Sequence, residues 1–152
     1  MKSKKILVPL DGSSTAEAAL PKAAELAKQN GAAKLVLVRA VDPATLPGGH
    51  GQVAAINQAA EYLRNVAVRL RNGGVDVVGR SVCYAAAGPA IVEAARTVRP
   101  AFIVMVSSDA DRLTRGSVAE FVLDRTQVPI VRVAPRSAST ENLATRALAR
   151  IA

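Results

Sequence analysis

The stretch AFIVMVSSDADRLTRGSVAEF, residues 101–121, passes from an apolar run through a polar loop into a helical pattern. Residues 102–106 are continuously apolar, which is typical of a strand that is covered on both faces. Ser117 and Glu120 have the spacing of a capping box, so a helix is predicted to begin at Ser117. A strand, a loop and a helix in this order predict one unit of a parallel α/β sheet.

The same alternation continues on both sides of this stretch. Apolar runs predict five strands, at residues 5–10, 34–41, 75–83, 102–106 and 129–134. Alanine-rich helical patterns predict four helices, at residues 14–30, at 52–72, from Gly88-Pro89 to before Pro100, and from Ser117 onward. We therefore predict an α/β fold: a five-stranded parallel sheet with helices on both faces, in a Rossmann-like sandwich with right-handed crossovers.

Local signals place the helix ends. Ser14 and Glu17 predict a capping box at the start of the first helix. Gly73-Gly74 is predicted to end the second helix. Pro89 suits the first position of the third helix, where the missing N–H costs nothing.

The length of 152 residues suits one domain, which we place at residues 3–135. Residues 136–152 form a basic tail, with a short amphipathic helix and a frayed end as the two alternatives. No window approaches 18 consecutive apolar residues, and the basic N-terminus lacks the long apolar region of a signal peptide. We expect no membrane span and a cytoplasmic location.

The formal net charge of +8 raises the hypothesis of nucleic-acid binding. The basic residues are spread along the whole chain, however, and the sequence has two Tyr, two Phe and no Trp to stack on single-stranded bases. A soluble basic surface is the favoured interpretation, and weak charge-driven nucleic-acid binding stays as an alternative.

Catalytic chemistry has few candidates in this chain. Cys83 is the single cysteine and His50 the single histidine, and His50 lies in a loop rich in glycine and proline. Ser107 and Ser108 have no evident general base. We therefore expect no metal site and no dedicated enzyme activity.

Open parallel sheets bind ligands beyond the carboxyl ends of their strands. Asp11 and Gly12 follow the first predicted strand, and Gly116-Ser117 opens the fourth helix, whose free amides favour an anion. The ligand-binding candidates at this edge are Pro9, Asp11, Val41, Met105, Ser107, Gly116, Ser117 and Val118.

Both ends of the chain resemble one known family. KKILVPLDGSSTAEAAL and FIVMV…RGSVAEFVLDRTQVPIVRVAP are similar to the opening and the close of universal stress proteins, and LVLVRAVDP and AAAGPAIVEAA fit the same plan. The resemblance covers about residues 3–135. It implies a fold like that of adenine-nucleotide hydrolases, a homodimer and a role in the stress response.

Many members of that family bind ATP through G-x-x-G, nine further residues and then G-[ST]. Here Val106 and Asp109 stand at the two first glycine positions, Gly116-Ser117 keeps the final pair, and the loop is three residues shorter. Val106 poorly tolerates positive φ, and at 4 Å a carboxylate such as Asp109 or Asp111 would cost a phosphate contact about 4 kcal/mol before screening. A Mg²⁺ ion that recruits both aspartates is the alternative.

We therefore predict a universal stress protein-like chain with a degenerate phosphate loop, which binds ATP weakly or not at all and needs no cofactor. The alternative is a member that binds ATP or AMP through Asp11, Val41 and Gly116-Ser117. Asp11 and Ser117 each have a simpler role, as a turn residue and as a helix cap. Because the last strand is apolar and predicted at a sheet edge, we also expect a homodimer through Val128–Ala134, with a further protein partner that the sequence does not identify.

Overall fold

The computed structural model describes residues 4–46, 51–106 and 118–134. Within these ranges five strands form one parallel sheet in the order β3-β2-β1-β4-β5. The strands are β1 Lys5–Pro9, β2 Lys34–Ala40, β3 Val77–Cys83, β4 Phe102–Val106 and β5 Ile130–Val133. The helices are α1 Ser14–Glu17, α2 Ala19–Gln29, α3 Gln52–Asn72, α4 Ala87–Val98 and α5 Val118–Arg125, with a short 3₁₀ turn at Pro43–Thr45. The predicted five-stranded α/β fold is confirmed.

Two apolar layers cover the sheet, one on each face. Ile6 and Val8 of β1 pack in the layer that α2 and α3 cover, together with Leu63 of α3. Leu7, between them in the strand, faces the opposite layer, where it packs with Val122 of α5. All five of these side chains are fully buried. Burial on both faces explains why the strands read as unbroken apolar runs.

The first predicted helix, residues 14–30, is divided at Ala18 into α1 and α2. Pro21 has no N–H, so the carbonyl of Glu17 cannot receive the usual bond from four residues later. The amide of Ala18 donates instead to the carbonyl of Thr15, 3.1 Å away, in a tighter turn. A proline near the start of an alanine-rich pattern therefore divides the predicted helix into two.

The third strand begins at Val77, two residues later than the predicted 75. The reason is that Val75 completes the end of α3, because its amide donates to the carbonyl of Leu70 at 2.9 Å. Gly74, with φ +85°, donates to Arg71 at 3.0 Å. These two bonds form a Schellman motif, which satisfies the last carbonyls of α3 before the strand starts.

Helix α4 begins at Ala87, so Pro89 is its third residue and not its first as predicted. The third position is equally suited to proline, because the first four amides of a helix have no partner within it. Gly88 allows α4 to lie close to α5: an ideal Cβ on Gly88 would lie 2.6 Å from Cδ1 of Phe121. The fourth helix is described only from Val118, so its predicted start and capping box at Ser117 fall outside the described residues.

Strand β5 lies at one edge of the sheet, as predicted, and pairs with β4 alone in the described part of the chain. The basic tail, residues 136–152, lies outside that part. Among the described helices, none combines the length and the apolar character that crossing a membrane requires.

Candidate functional site

The carboxyl ends of β1 and β4 part at the point where the strand order reverses. Strand β1 pairs with β2 over five residues, from Lys5 to Pro9, but it pairs with β4 only at Ile6 and Leu7. The carboxyl halves of β1 and β4 therefore have no ladder pair with one another. Such a switch point is where open α/β sheets bind their ligands.

Asp11 lies at this edge in a fixed turn. Its Oδ1 accepts the amide of Ser13 at 2.8 Å and also the Ser13 hydroxyl. Ser13 in turn caps α1, because its Oγ accepts the amide of Ala16 at 3.1 Å. The N-cap is therefore Ser13, and the predicted capping box of Ser14 and Glu17 is wrong, since the Glu17 carboxylate bonds elsewhere.

The other described candidates divide into two groups. Pro9 ends β1 half-buried, and Val41 follows β2 with its amide bonded to the carbonyl of Cys83 at 2.8 Å, so both belong to the carboxyl edge. Met105 is 6% exposed and packs in the layer under α4 and α5, and Val118 is the first described residue of α5. Ser107, Gly116 and Ser117 lie outside the described residues, as do Asp109, Asp111 and His50.

A polar network that the sequence did not predict joins α1, β2 and α3 at the same edge. Glu17 accepts from the Tyr62 hydroxyl at 2.9 Å and from Nη2 of Arg69 at 2.7 Å. The guanidinium of Arg39 lies over the ring of Tyr62, 5.0 Å from its centroid. One signal was visible in the sequence: Arg39 is a cation inside the otherwise apolar run LVLVRAV.

Arg39 also contacts the loop that carries Asp11. An ideal Cβ on Gly12 would lie 3.0 Å from Nη1 of Arg39 and 3.1 Å from its Cζ, so the guanidinium packs against the Gly12 backbone. Gly12 has φ +88°, a conformation that favours glycine. The network and the turn of Asp11 are therefore in contact through this one residue.

Burial and the neighbouring Glu17 carboxylate raise the pKa of the Tyr62 phenol well above its usual value, and Arg69 and Arg39 offset part of that shift. The phenol therefore stays protonated and donates to Glu17. Burial, with a smaller effect of Glu93, also raises the pKa of the Cys83 thiol, which makes it a poor nucleophile near neutral pH.

The Tyr62 shift gives a direct spectroscopic prediction. In a Tyr84→Phe variant Tyr62 is the one remaining tyrosine, and its absorbance at the phenolate band should titrate well above a free tyrosine. Because the folded pKa is raised, the stability from this group is complete below the unfolded pKa and is lost as pH rises above it. Adding Glu17→Gln should lower the titration midpoint. A midpoint equal to that of free tyrosine, in protein shown to be folded, would contradict the network.

Two surface grooves lie away from the switch point. One, of about 520 Å³, runs between α3 and the edge strand β3 and includes Arg64 and Arg80. The other, of about 270 Å³, lies between α2 and β5. Neither contains a predicted ligand residue. Among the described residues, no group of three or more His, Cys, Asp or Glu side chains could hold a metal ion.

Comparison with known proteins agrees with this architecture. The model of the universal stress protein family matches residues 2–134. No curated protein matches the chain closely enough to count as a relative. Among solved structures, a universal stress protein family member from Burkholderia pseudomallei is 31% identical with a TM-score of 0.67, over 88% of this chain and 96% of that one.

Two further solved structures contain nucleotides. The universal stress protein from Archaeoglobus fulgidus in complex with dAMP is 26% identical with a TM-score of 0.64, over 87% of this chain and 98% of that one. A universal stress protein in complex with cAMP is 25% identical with a TM-score of 0.58, over 90% of this chain and 100% of that one. With the family match over nearly the whole described chain and the same five-stranded fold, this chain belongs to the universal stress protein family.

Proposed function

We propose that this chain is a regulatory universal stress protein that binds an adenine mononucleotide, and ATP only weakly, at the carboxyl ends of β1, β2 and β4. The observation that carries the proposal is the separation of β1 from β4 beyond Leu7, with Asp11 fixed beside it. A switch point of this kind suits a nucleoside, because open α/β sheets bind ligands there and Asp11 supplies a fixed polar group.

The preference for one phosphate comes from the loop after β4. Two glycine positions of the family's triphosphate pattern hold Val106 and Asp109, and the loop is shorter by three residues. A loop that lacks these glycines would bring fewer backbone amides to a polyphosphate, and the sequence adds two carboxylates to it, those of Asp109 and Asp111. The nucleotides in the two related complexes, dAMP and cAMP, each carry a single phosphate.

The proposal includes a homodimer through β5. This strand lies at the sheet edge and has the burial pattern of a strand that is only partly covered within one protomer. An uncovered apolar edge favours pairing with another chain, and an isologous pair of β5 strands would cover both edges at once. No catalytic step forms part of the proposal.

A native mass spectrum of protein purified without added nucleotide tests the proposal. We expect a species of twice 15.7 kDa that takes up AMP when AMP is titrated in, with ATP binding at least tenfold more weakly. GMP at equal concentration is the control for base preference. Retention of ATP through purification, or tighter binding of ATP than of AMP, would contradict the proposed preference, and a monomer at high concentration would contradict the dimer.

A further inference from the structure

We propose that Arg39 binds the phosphate of the mononucleotide, an inference that rests on the proposed function and names the residue responsible for its charge selectivity. Arg39 is near the carboxyl end of β2, one residue before the strand ends at Ala40. Its side chain lies on the face of the sheet that α2 and α3 cover, where it contacts Tyr62. It therefore presents a half-buried cation at the edge where the ligand is expected.

Two residues pack against the guanidinium of Arg39. Gly12 lies against one part of it, with all three of Nη1, Nη2 and Cζ within 3.1 Å of an ideal Cβ position on that residue. The Tyr62 ring lies 5.0 Å away as a second packing surface. A guanidinium held between these two groups offers its in-plane N–H donors to a ligand.

The charge of Arg39 has no carboxylate partner in residues 4–46, 51–106 and 118–134. The carboxylate within the same network, Glu17, already accepts from Arg69 at 2.7 Å and from Tyr62 at 2.9 Å. Within the described residues no ion pair joins Arg39 to Asp11, whose Oδ1 accepts both of its hydrogen bonds from Ser13. Arg39 thus differs from Arg69, which is 62% exposed and paired: one arginine belongs to an ion pair, and the other has its position fixed without its charge being neutralised.

In-plane donors on a rigid fork match the geometry of an oxyanion, and phosphate is the oxyanion of the proposed ligand. One guanidinium can bind two oxygens of a single phosphate, but it offers nothing to the second and third phosphates of ATP. Arg39 therefore supplies a charge contact that the loop after β4 has lost, and it does so for a monophosphate. Gly12 contacts Arg39 directly and lies in the same loop as Asp11. This loop would therefore position the nucleoside next to the Arg39 guanidinium that donates to the phosphate.

The test compares AMP, adenosine and inorganic phosphate on the full chain, with affinities taken from amide chemical shifts in NMR titrations. We expect Arg39→Gln to lower the affinity for AMP at least tenfold and to keep the affinity for adenosine within twofold of the wild-type value. Arg39→Lys keeps the charge without the planar fork and should lie between the wild type and Arg39→Gln. Inorganic phosphate should shift the amides around Gly12 in the wild type and not in Arg39→Gln, which identifies the free anion as a sufficient ligand.

Arg69→Gln is the matched control, because it removes the same charge from the same network and should leave AMP affinity within twofold. Equal losses in Arg39→Gln and Arg69→Gln, or parallel losses of AMP and adenosine, would overturn the assignment of Arg39 while the proposed function stood. If Arg39→Gln does not fold, an unchanged AMP affinity in Arg39→Lys would overturn it equally. A wild type that binds neither AMP nor adenosine would remove the proposed function and this assignment with it.

Discussion

Replacing Gly88 with alanine is expected to lower the free energy of unfolding by roughly 2 kcal/mol, because overpacking a close helix contact typically costs 1–3 kcal/mol. The new Cβ would lie 2.6 Å from Cδ1 and 2.9 Å from Cγ of Phe121. Cγ is the ring atom bonded to Cβ, so rotation of the ring about the Cβ–Cγ bond does not move it away from the new Cβ. The guanidinium of Arg125 lies 3.7 Å from the ring centroid and restricts the ring further.

The sign of this effect is informative, since helix propensity alone predicts the opposite. Alanine stabilises a helix interior by about 0.5–1 kcal/mol relative to glycine. Gly73→Ala is the control: its φ is −86°, and an added Cβ would meet only ordinary contacts at 3.5 Å and beyond. Urea unfolding of both variants checks the prediction. A Gly88→Ala protein as stable as the wild type would show that α4 and α5 can separate without cost.

Phe121→Leu in the Gly88→Ala background gives a second measurement of the same contact. A smaller, flexible side chain should recover part of the lost stability, so the two substitutions should be non-additive by about 1 kcal/mol. Additive losses would mean that the destabilisation arises from the α4 backbone and not from contact between the helices.

The strands were predictable because their burial leaves a pattern in a few consecutive residues. A parallel strand covered on both faces must be apolar at every position, so Ile6, Leu7 and Val8 identify β1 without knowledge of its neighbours. The strand order β3-β2-β1-β4-β5 was not predicted, because it depends on how the crossovers connect strands that lie far apart in the chain. The edge position of β5 followed from the same topology.

The helix ends were less predictable, because several residues compete for the same backbone groups. Ser13, Ser14 and Thr15 are all acceptable caps, and Asp11 decides between them by fixing Ser13 in the turn. At the end of α3, a strand-like Val75 contributes its amide to the helix because Gly74 turns the chain back. Propensity cannot rank these alternatives, since each depends on a hydrogen bond to a residue already placed by the fold.

The sequence predicted where some candidate residues lie along the sheet, but not which side chains contact one another. Pro9 ends β1, Asp11 follows β1 and Val41 follows β2, so their positions at the carboxyl edge could be predicted. The contacts of Arg39 with Gly12 and Tyr62 join residues far apart in the chain, and no local pattern indicates that such residues meet. A charged residue in an apolar strand marked the position, but its role required the three-dimensional contacts.

The last prediction concerns Gly12→Ala, which should impair both folding and ligand binding. Gly12 has φ +88°, and a residue with a Cβ in the left-handed region costs roughly 1–2 kcal/mol. The same Cβ would lie 3.0 Å from Nη1 of Arg39, so the guanidinium must move away from Tyr62 or the loop must move away from β2. We therefore expect a loss of roughly 2 kcal/mol in unfolding free energy and at least a fivefold loss in AMP affinity.

Gly31→Ala separates these two causes. Gly31 also has a left-handed φ, +70°, but an ideal Cβ there meets nothing within 4 Å, so this variant carries the backbone strain without the contact with Arg39. Its unfolding free energy should fall by the strain alone, and its AMP affinity should equal that of the wild type. Circular dichroism melts and NMR titrations of the two variants measure both quantities. If Gly31→Ala and Gly12→Ala lose the same stability and both retain AMP, then the contact between Gly12 and Arg39 contributes to neither folding nor binding, and the loop after β1 is held by the hydrogen bonds of Asp11 and Ser13.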